Sequence, residues 1–368
     1  MTRQELCGKI DEAIASFDFR GNITHYEPYG NGHINDTFAV STDAHVRYIV
    51  QRMNHDIFKN PAQLMENIAG VTRFLRRKIL AAGGDANRET LNIISTKDGH
   101  DFFVDTIGSY WRAYEFIVGA HTYETVENPR DFYCSGLGFG RFQNMLSDYP
   151  ADTLHETVAD FHNTPMRLLK LRAALLADTC GRAASVANEV AFVLAHEADT
   201  HILMDLLSAG KLPLRVTHND TKLNNIMIDD ATREAICVID LDTVMPGLSV
   251  NDFGDSIRFG ASTATEDEPD LSKVSVDLAL FEEFTRGFLK GCDGSLTDIE
   301  LDMLPMGAKL MTLECGIRFL TDYLEGDCYF KISSEGQNLN RAHTQFKLVS
   351  DMERHWDELC AIVGKYRA

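Results

Sequence analysis

Residues His218 to Asn225 read HNDTKLNN, and fifteen positions beyond Asn225 a short apolar run ends in Asp240 of VIDLD. An aspartate five residues ahead of an asparagine, then a second aspartate closing an apolar strand, is the spacing that phosphoryl transfer from ATP requires. Asp220 takes the proton of the acceptor in this reading. Asn225 and Asp240 offer oxygens to Mg²⁺, a hard cation that fills its remaining positions with phosphate oxygens and water. Asp and Asn are also ordinary turn formers, and a lone HxD tripeptide is common by chance. The register is what lifts the reading. All three side chains stand in order, with an apolar strand leading into the last, so the chain reads as a small-molecule kinase rather than a catalytically silent binding protein, which would have a broken set.

The intervening residues supply a way to bring the set together. Ile226 to Ile228, the turn-like Asp229 to Thr232 and the apolar Ala235 to Ile239 predict a short hairpin whose open end joins Asn225 to Asp240. Asp220 then sits back along the loop, outside the metal pair. Asp242, Asp252 and Asp255 follow closely, and the reading expects Mg²⁺, not lysines, to offset the negative charge they add.

The surrounding elements divide in composition. Residues 1 to 115 read as a small mixed lobe: a helix over 11–17, strands within Tyr26 to Val40 and Val46 to Met53, a helix over Asn60 to Ala81, and strands at Leu91 to Ser95 and Phe102 to Thr106. From about 150 the periodicity is helical. Thr153 with Glu156 forms a capping box for a helix through His162, and Thr297 with Glu300 a second one for a helix reaching Leu324 and stopped by Gly326. Further helices are expected over 185–209, 272–290 and 340–364. The whole predicts an α+β, bilobal protein-kinase-like fold with a nucleotide-binding lobe over 1–115 and a helical lobe over 116–368 that carries the catalytic loop.

A nucleotide between such lobes needs a turn that admits phosphates and a cation. Gly30 and Gly32 of PYGNGHIN allow backbone N–H groups to approach a phosphate, although a plain hairpin turn would use the same glycines. The strand YIVQRM holds no lysine. Arg52 is the substitute, with Glu66 of the next helix as its partner; a strand-end charge and a solvated helix residue are the alternative.

Composition excludes other classes. The net charge of −20 leaves no basic stripe for a nucleic-acid backbone. No apolar run approaches the ~18 residues that span a bilayer, and the opening MTRQELCGKIDEAI lacks the pattern of an export signal, so a cytoplasmic protein is expected. The eight cysteines are scattered singly without a CxxC, and Cys237 and Cys315 lie in apolar runs as small core residues.

Four segments carry a family resemblance: HNDTKLNN, VIDLDTVMPGLSVNDFGDSIRFGA over 238–261, WRAYEFI over 111–117 and LECGIRFLTDYLEGDCYFKI over 313–332. Together they resemble the N-acetylhexosamine 1-kinases within the aminoglycoside phosphotransferase-like group, over nearly the whole chain. The resemblance implies ATP- and Mg²⁺-dependent transfer of the γ-phosphoryl group to the C1 hydroxyl of N-acetylglucosamine or N-acetylgalactosamine, giving the α-1-phosphate. It assigns Asp220 as base, Asn225 and Asp240 as metal ligands, and Arg318, Tyr329 and Phe259 to the sugar pocket. The chain departs from the wider kinase pattern at Gly30-Asn31-Gly32 and Arg52. Read from the residues alone, Arg318 lies beside the helical series Leu310, Leu313, Ile317, Leu320 and Leu324, where a ligand or a boundary salt bridge would satisfy it equally. Tyr329 fits a pocket or the core. Aminoglycosides, choline-like compounds and other sugars stay open as acceptors.

Overall fold

The alternation between Tyr26 and Met53 is realised as antiparallel strands in the computed structural model, which describes residues 3–30 and 34–367. In chain order the elements begin α1 (Arg3–Ser16), β1 (Ile23–Pro28), β2 (Asp36–Thr42), β3 (Arg47–Arg52), α2 (Pro61–Ala81), β4 (Phe103–Val104), β5 (Tyr110–Glu115) and β6 (Ala120–His121). They continue α3 (Pro129–Met145), α4 (Thr164–Ala177), α5 (Ala187–Ala195), α6 (Glu197–Ser208), β7 (Arg215–Thr217), β8 (Ile226–Asp229), β9 (Ala235–Val238) and β10 (Met245–Gly247). The helices α7 (Ser249–Gly260), α8 (Leu278–Cys292), α9 (Asp298–Glu325), α10 (Gln337–Arg354) and α11 (Trp356–Tyr366) complete the chain. A β-rich N-terminal region precedes a helical C-terminal part, the α+β class expected from the sequence.

The chain forms two compact units, the first of Met1–His121, Asp152–Val158 and Met227–Met245. Its sheet runs β1-β2-β3-β5-β4, antiparallel throughout. Ile10, Ala13 and Ile14 of α1 recur at helical spacing and, with Phe17, close over Val40, Val50, Trp111 and Ala113 of the sheet. Asn60 caps α2 by accepting from the Gln63 N–H, and Pro61 occupies the first turn, where its missing N–H costs nothing. The β8–β9 hairpin joins β6 in a separate three-stranded sheet of this unit.

Two expectations fail here. Leu91–Ser95 makes only an isolated bridge, Ile93 to Tyr114: Ile94 N–H donates to the Ala113 carbonyl and the Asn92 carbonyl accepts from Glu115, beyond the two residues of β5 that pair with β4. The Thr153–Glu156 box opens no helix: only Ala151–Thr153 forms a single 3-10 turn. The Asn67 side chain accepts from the His155 N–H at 2.8 Å and donates to the His155 carbonyl at 2.8 Å, which holds that backbone outside a helical ladder. In the second case a tertiary contact outcompetes the local signal.

The second unit comprises Thr122–Ala151, Ala159–Ile226 and Pro246–Ala368. Its axis is α9, opened by the expected Thr297–Glu300 capping box and closed by Gly326 at φ 98°. Leu310, Leu313, Ile317, Leu320 and Leu324 are all buried along it. The sequence reading did not foresee α3, α4 or α7. The glycine-rich GLGFG of α3 signals a loop, yet Gly136 and Gly140 are what let α3 approach α8. A Cβ at Gly136 would lie 2.4 Å from the Phe284 carbonyl oxygen, and one at Gly287 2.1 Å from that of Tyr133. Close backbone contact offsets the ~1 kcal/mol that a helical glycine costs. No helix among the described residues is long and apolar enough to cross a membrane.

Candidate active site

The HNDTKLNN loop leaves β7 through a residue that few side chains tolerate. Asn219 has φ 64°, in the left-handed region where Asn is one of the acceptable residues. The bend is held from below by α7. Asp252 accepts the N–H groups of His218 at 2.9 Å and Asn219 at 2.7 Å, together with the Gln143 amide at 2.6 Å. Asp255 accepts the Thr221 N–H at 2.9 Å, and Thr221 Oγ1 donates to the Asp252 carbonyl at 2.5 Å. Burial pushes the Asp252 carboxyl above its ordinary value, against the pull of His218 and of the N–H groups it accepts. From the other side His162 Nε2 lies 3.1 Å from the Asn219 carbonyl, and Nδ1 lies 3.0 Å from the buried Glu314.

This clamp leaves Asp220 half-buried with each oxygen engaged. Oδ1 lies 2.8 Å from Lys222 Nζ, and Oδ2 accepts from Asn225 Nδ2 at 3.0 Å. Burial raises the carboxyl, but Lys222, His218 and Asn225 outweigh it and hold Asp220 below the usual carboxylate range. The group is ionised at neutral pH. Both hydrogen bonds of Asn225 use its Nδ2, so its buried amide presents Oδ1 without a donor among the described residues. An oxygen of that kind suits a hard cation.

In the first unit, β8 and β9 form the predicted hairpin, beginning directly after Asn225 and ending two residues before Asp240. Asp240 is exposed with φ 58° and ψ 57°, again left-handed, and opens a short 3-10 turn over Leu241–Thr243. Its neighbour Asp242 is buried. Asp242 pairs with the fully buried Arg112 of β5 and accepts from Asn35 Nδ2 at 2.6 Å. Arg112 Nε also donates to Gln51 Oε1 at 2.9 Å. Desolvation works against the Arg112 charge, but the adjoining Asp242 more than compensates and holds the guanidinium above its ordinary value.

Several sequence expectations change in this light. The expected Arg52–Glu66 pair does not form: Arg52 binds Asp36, its partner in the β2–β3 register, at 2.5 Å, and Glu66 meets His155 Nε2 at 2.6 Å. Strand period explains it. Gln51 and Arg112 face each other across β3–β5, while Arg52 stands opposite Trp111 on the other side of the pleat. The acidic residues are likewise offset by the protein itself, Asp242 by Arg112, Asp255 by Arg258 and Asp220 by Lys222, so the expected reliance on Mg²⁺ alone is corrected. Arg112 was the residue missed, and its signal was a charge inside the apolar strand YWRAYE. Gly30 takes φ 74° with open space around it, and Gly32 lies outside the described residues.

The residues expected to meet a sugar fall in the second unit. Arg318 lies over Tyr329 at 5.9 Å, Phe330 at 5.4 Å and Phe161 at 5.6 Å from the ring centres. Asp322 fixes that loop by accepting the N–H groups of Cys328, Tyr329 and Phe330 at 2.9, 2.7 and 2.9 Å. Tyr329 is 63% exposed, so it is a rim residue and not core. Phe259 is half-buried on α7, and no ring contact joins it to this cluster among the described residues.

Comparison with known proteins agrees with this arrangement. A sequence model of the phosphotransferase enzyme family matches residues 25–275. Among solved structures, a microcompartment-associated aminopropanol kinase superimposes with a TM-score of 0.65 at 17% identity, covering 96% of this chain and 98% of the other. An aminoglycoside phosphotransferase from Alicyclobacillus acidocaldarius subsp. acidocaldarius DSM 446 gives 0.62 at 12% identity, covering 96% of each chain. The amicoumacin kinase hAmiN, solved with AMP-PNP, Ca²⁺ and Ami, gives 0.59 at 15% identity, covering 94% of this chain and 96% of the other. At these identities the likeness is one of fold.

Proposed function

The chain belongs to the phosphotransferase enzyme family, and from that premise we propose that it is an ATP- and Mg²⁺-dependent cytoplasmic kinase that phosphorylates the C1 hydroxyl of N-acetylhexosamines. Asp220 accepts the hydroxyl proton as the γ-phosphoryl group arrives in line. A carboxylate held at low basicity suffices, because phosphoryl transfer with a loose transition state asks for little early proton removal and an anomeric hydroxyl is more acidic than other sugar alcohols. Lys222 and Asn225 keep the Asp220 side chain in one orientation. Asn225 Oδ1 and the Asp240 carboxylate are the oxygens that would hold Mg²⁺, which when bound neutralises charge on the phosphates. On the nucleotide side we retain Gly30, Gly32 and Arg52 as candidate contacts. Glu66, engaged by His155, stays a candidate without its supposed link to Arg52.

The observation that favours a neutral sugar is Arg318. No hydrogen bond and no ion pair within 4 Å engages its guanidinium among the described residues; the buried Glu314 acts on its charge from farther off, and three aromatic rings surround it. A pocket for an amine would put a carboxylate there, whereas a hydroxyl-rich ring offers oxygens to the guanidinium and C–H faces to the aromatics. Two solved neighbours are named for amine-bearing acceptors, aminopropanol and aminoglycosides, so the two classes are separable by experiment. Incubation with ATP, Mg²⁺ and a panel of hexoses, amino alcohols and aminoglycosides, read by mass and then by NMR, should give the 1-phosphate of N-acetylhexosamines. The methyl glycoside should be inert and the 6-deoxy sugar consumed. Consumption of the methyl glycoside sinks the 1-kinase reading, and turnover of the amines alone replaces it with an amino-alcohol kinase.

A further inference from the structure

Two thiols of the second unit, far apart in sequence, stand beside one glycine. Among the described cysteines, Cys134, Cys237, Cys292 and Cys315 are buried, whereas Cys180, Cys328 and Cys360 are exposed. A Cβ placed on Gly326 would lie 3.0 Å from Cys180 Sγ and 4.0 Å from Cys328 Sγ. Both sulfurs therefore border the same space, no farther apart than the sum of those distances. Gly326, at φ 98°, puts no side chain into it.

The two loops are held together by contacts that use neither sulfur. The chain leaves α4 through Asp178, left-handed at φ 39°, whose carboxylate accepts the Ala183 N–H at 2.9 Å. Arg182, two residues beyond Cys180, donates through Nη1 to the Tyr323 carbonyl at 2.6 Å and to Asp327 Oδ2 at 2.7 Å. Its guanidinium also lies 4.4 Å from the centre of the Tyr323 ring. On the other side Asp322 fixes the backbone of Cys328 and Tyr329 through their N–H groups. Cys328 Sγ itself makes only long contacts, 3.5 Å to the Glu325 carbonyl and 3.7 Å to that of Gly326. A thiol is a weak donor, so rotation of this side chain gives up little.

Proximity changes what oxidation does to a thiol. Attack of one thiolate on hydrogen peroxide breaks the O–O bond and leaves a sulfenic acid and one water. The second thiolate then attacks the sulfenic sulfur, forms the S–S bond and expels hydroxide, which leaves as a second water. Both sulfurs are oxidised and the peroxide is reduced, so two thiols and one peroxide give one disulfide and two waters. Holding the second thiol in place makes that step intramolecular. A solvent-exposed bond of this kind is open to reduction by an external thiol, which makes it reversible.

We propose that Cys180 and Cys328 are an oxidative modification site: hydrogen peroxide joins them in a reversible disulfide that displaces the adjoining Tyr329 and weakens acceptor binding. Closing an S–S bond of ~2.0 Å draws the 328 side towards the α4 exit, and Tyr329 is the next residue along the chain. The effect on the acceptor rests on the placement of Tyr329 at the acceptor pocket; formation of the bond does not.

The test treats the full chain with a small excess of hydrogen peroxide and maps disulfides by mass spectrometry of a non-reduced digest. Acceptor and ATP KM are measured before oxidation, after it and after dithiothreitol. Wild type should yield a Cys180–Cys328 crosslinked peptide lighter by two hydrogens, with the acceptor KM raised several-fold and the ATP KM nearly unchanged. Dithiothreitol should reverse both changes. Cys180→Ser should match reduced wild type in basal activity and show neither the crosslink nor the rise, while Cys360→Ser should respond as wild type does. Sulfinic acid or other disulfides without the Cys180–Cys328 peptide overturn the inference. So does a crosslinked protein with an unchanged acceptor KM, or an equal rise in oxidised Cys180→Ser. Should Cys180→Ser fail to fold, the wild-type peptide map and its KM values decide alone. A protein that forms the crosslink but phosphorylates an amino alcohol in place of the sugar sinks the sugar reading and leaves the thiol pair standing, its KM then followed with that acceptor.

Discussion

In the second unit the buried carboxylate of Asp252 holds backbone, accepting two successive N–H groups of the catalytic loop, whereas in the first unit the buried carboxylate of Asp242 holds another charge, Arg112. The two arrangements fail differently. A carboxylate bonded to amides fixes the path of the chain and leaves the next side chain, Asp220, to point where the path directs it. A buried ion pair fixes two elements, β5 and the segment after β9, and depends on both partners remaining, because desolvation makes a lone charge far more costly than no charge. Asp252 is thus a device for geometry and Asp242 one for mutual neutralisation.

The sharpest division between geometry and chemistry is at Asp220 itself. Asp220→Asn keeps the contact with Asn225 in shape and should leave the melting temperature nearly unchanged, while turnover falls by roughly 10²–10⁴-fold for loss of the base. A mutant retaining more than about a tenth of wild-type turnover removes Asp220 from that role. On the stability side, Asp242→Ala strands Arg112 and should cost about 3–5 kcal/mol by denaturant unfolding. The double variant Asp242→Leu with Arg112→Met should recover much of it. A double variant as unstable as the single would show that the loss does not come from the stranded Arg112 charge, leaving the Asn35 amide that loses its acceptor as the cause.

Lys222 tests how the loop sets the basicity of Asp220, the proposed base. Burial raises Asp220, but Lys222 is the first of the groups that lower it, so wild-type kcat/KM should carry no acid limb from this residue above the ordinary aspartate range of about pH 4. Lys222→Met removes the main lowering influence and leaves the desolvation. The folded-state value must then rise, and activity should fall away at a higher pH than in wild type while the alkaline side is unmoved. An unshifted acid limb in the pH–rate profile would show that Asn225 and His218 suffice.

The sequence made one of these regions far more legible than the other. The loop could be read because its spacing is local: Asp220, Asn225 and Asp240 lie within one loop and one hairpin, and α9 announced both its ends through Thr297, Glu300 and Gly326. The Asp252 clamp could not, since its partners lie more than 30 residues away and an Asp inside α7 looks like any helix residue. Arg112 and Asp242 are 130 positions apart, and no periodicity links them. The glycines of α3 carry no helical signal, because they mark close approach to α8.

The smallest effect is expected where the sequence and the structure disagreed most, at Arg52. Its pair with Asp36 is cross-strand and partly exposed, with 25% and 39% of the two side chains accessible. Exposed pairs of this kind contribute ~0.2–1 kcal/mol, so Arg52→Ala should lower stability by no more than that. The comparison with Arg112 then turns on nucleotide binding. Arg52 has one carboxylate partner and accessible donors, while Arg112 is closed in by Asp242 and Gln51. As a nucleotide contact, Arg52 should raise the ATP KM several-fold when removed, with the acceptor KM and melting temperature nearly constant. An ATP KM unchanged in Arg52→Ala would leave Arg112 as the cation whose fixed charge the phosphates feel, and would extend to the nucleotide the rule already seen at the loop, that buried partners in this protein set the field and exposed ones only trim it.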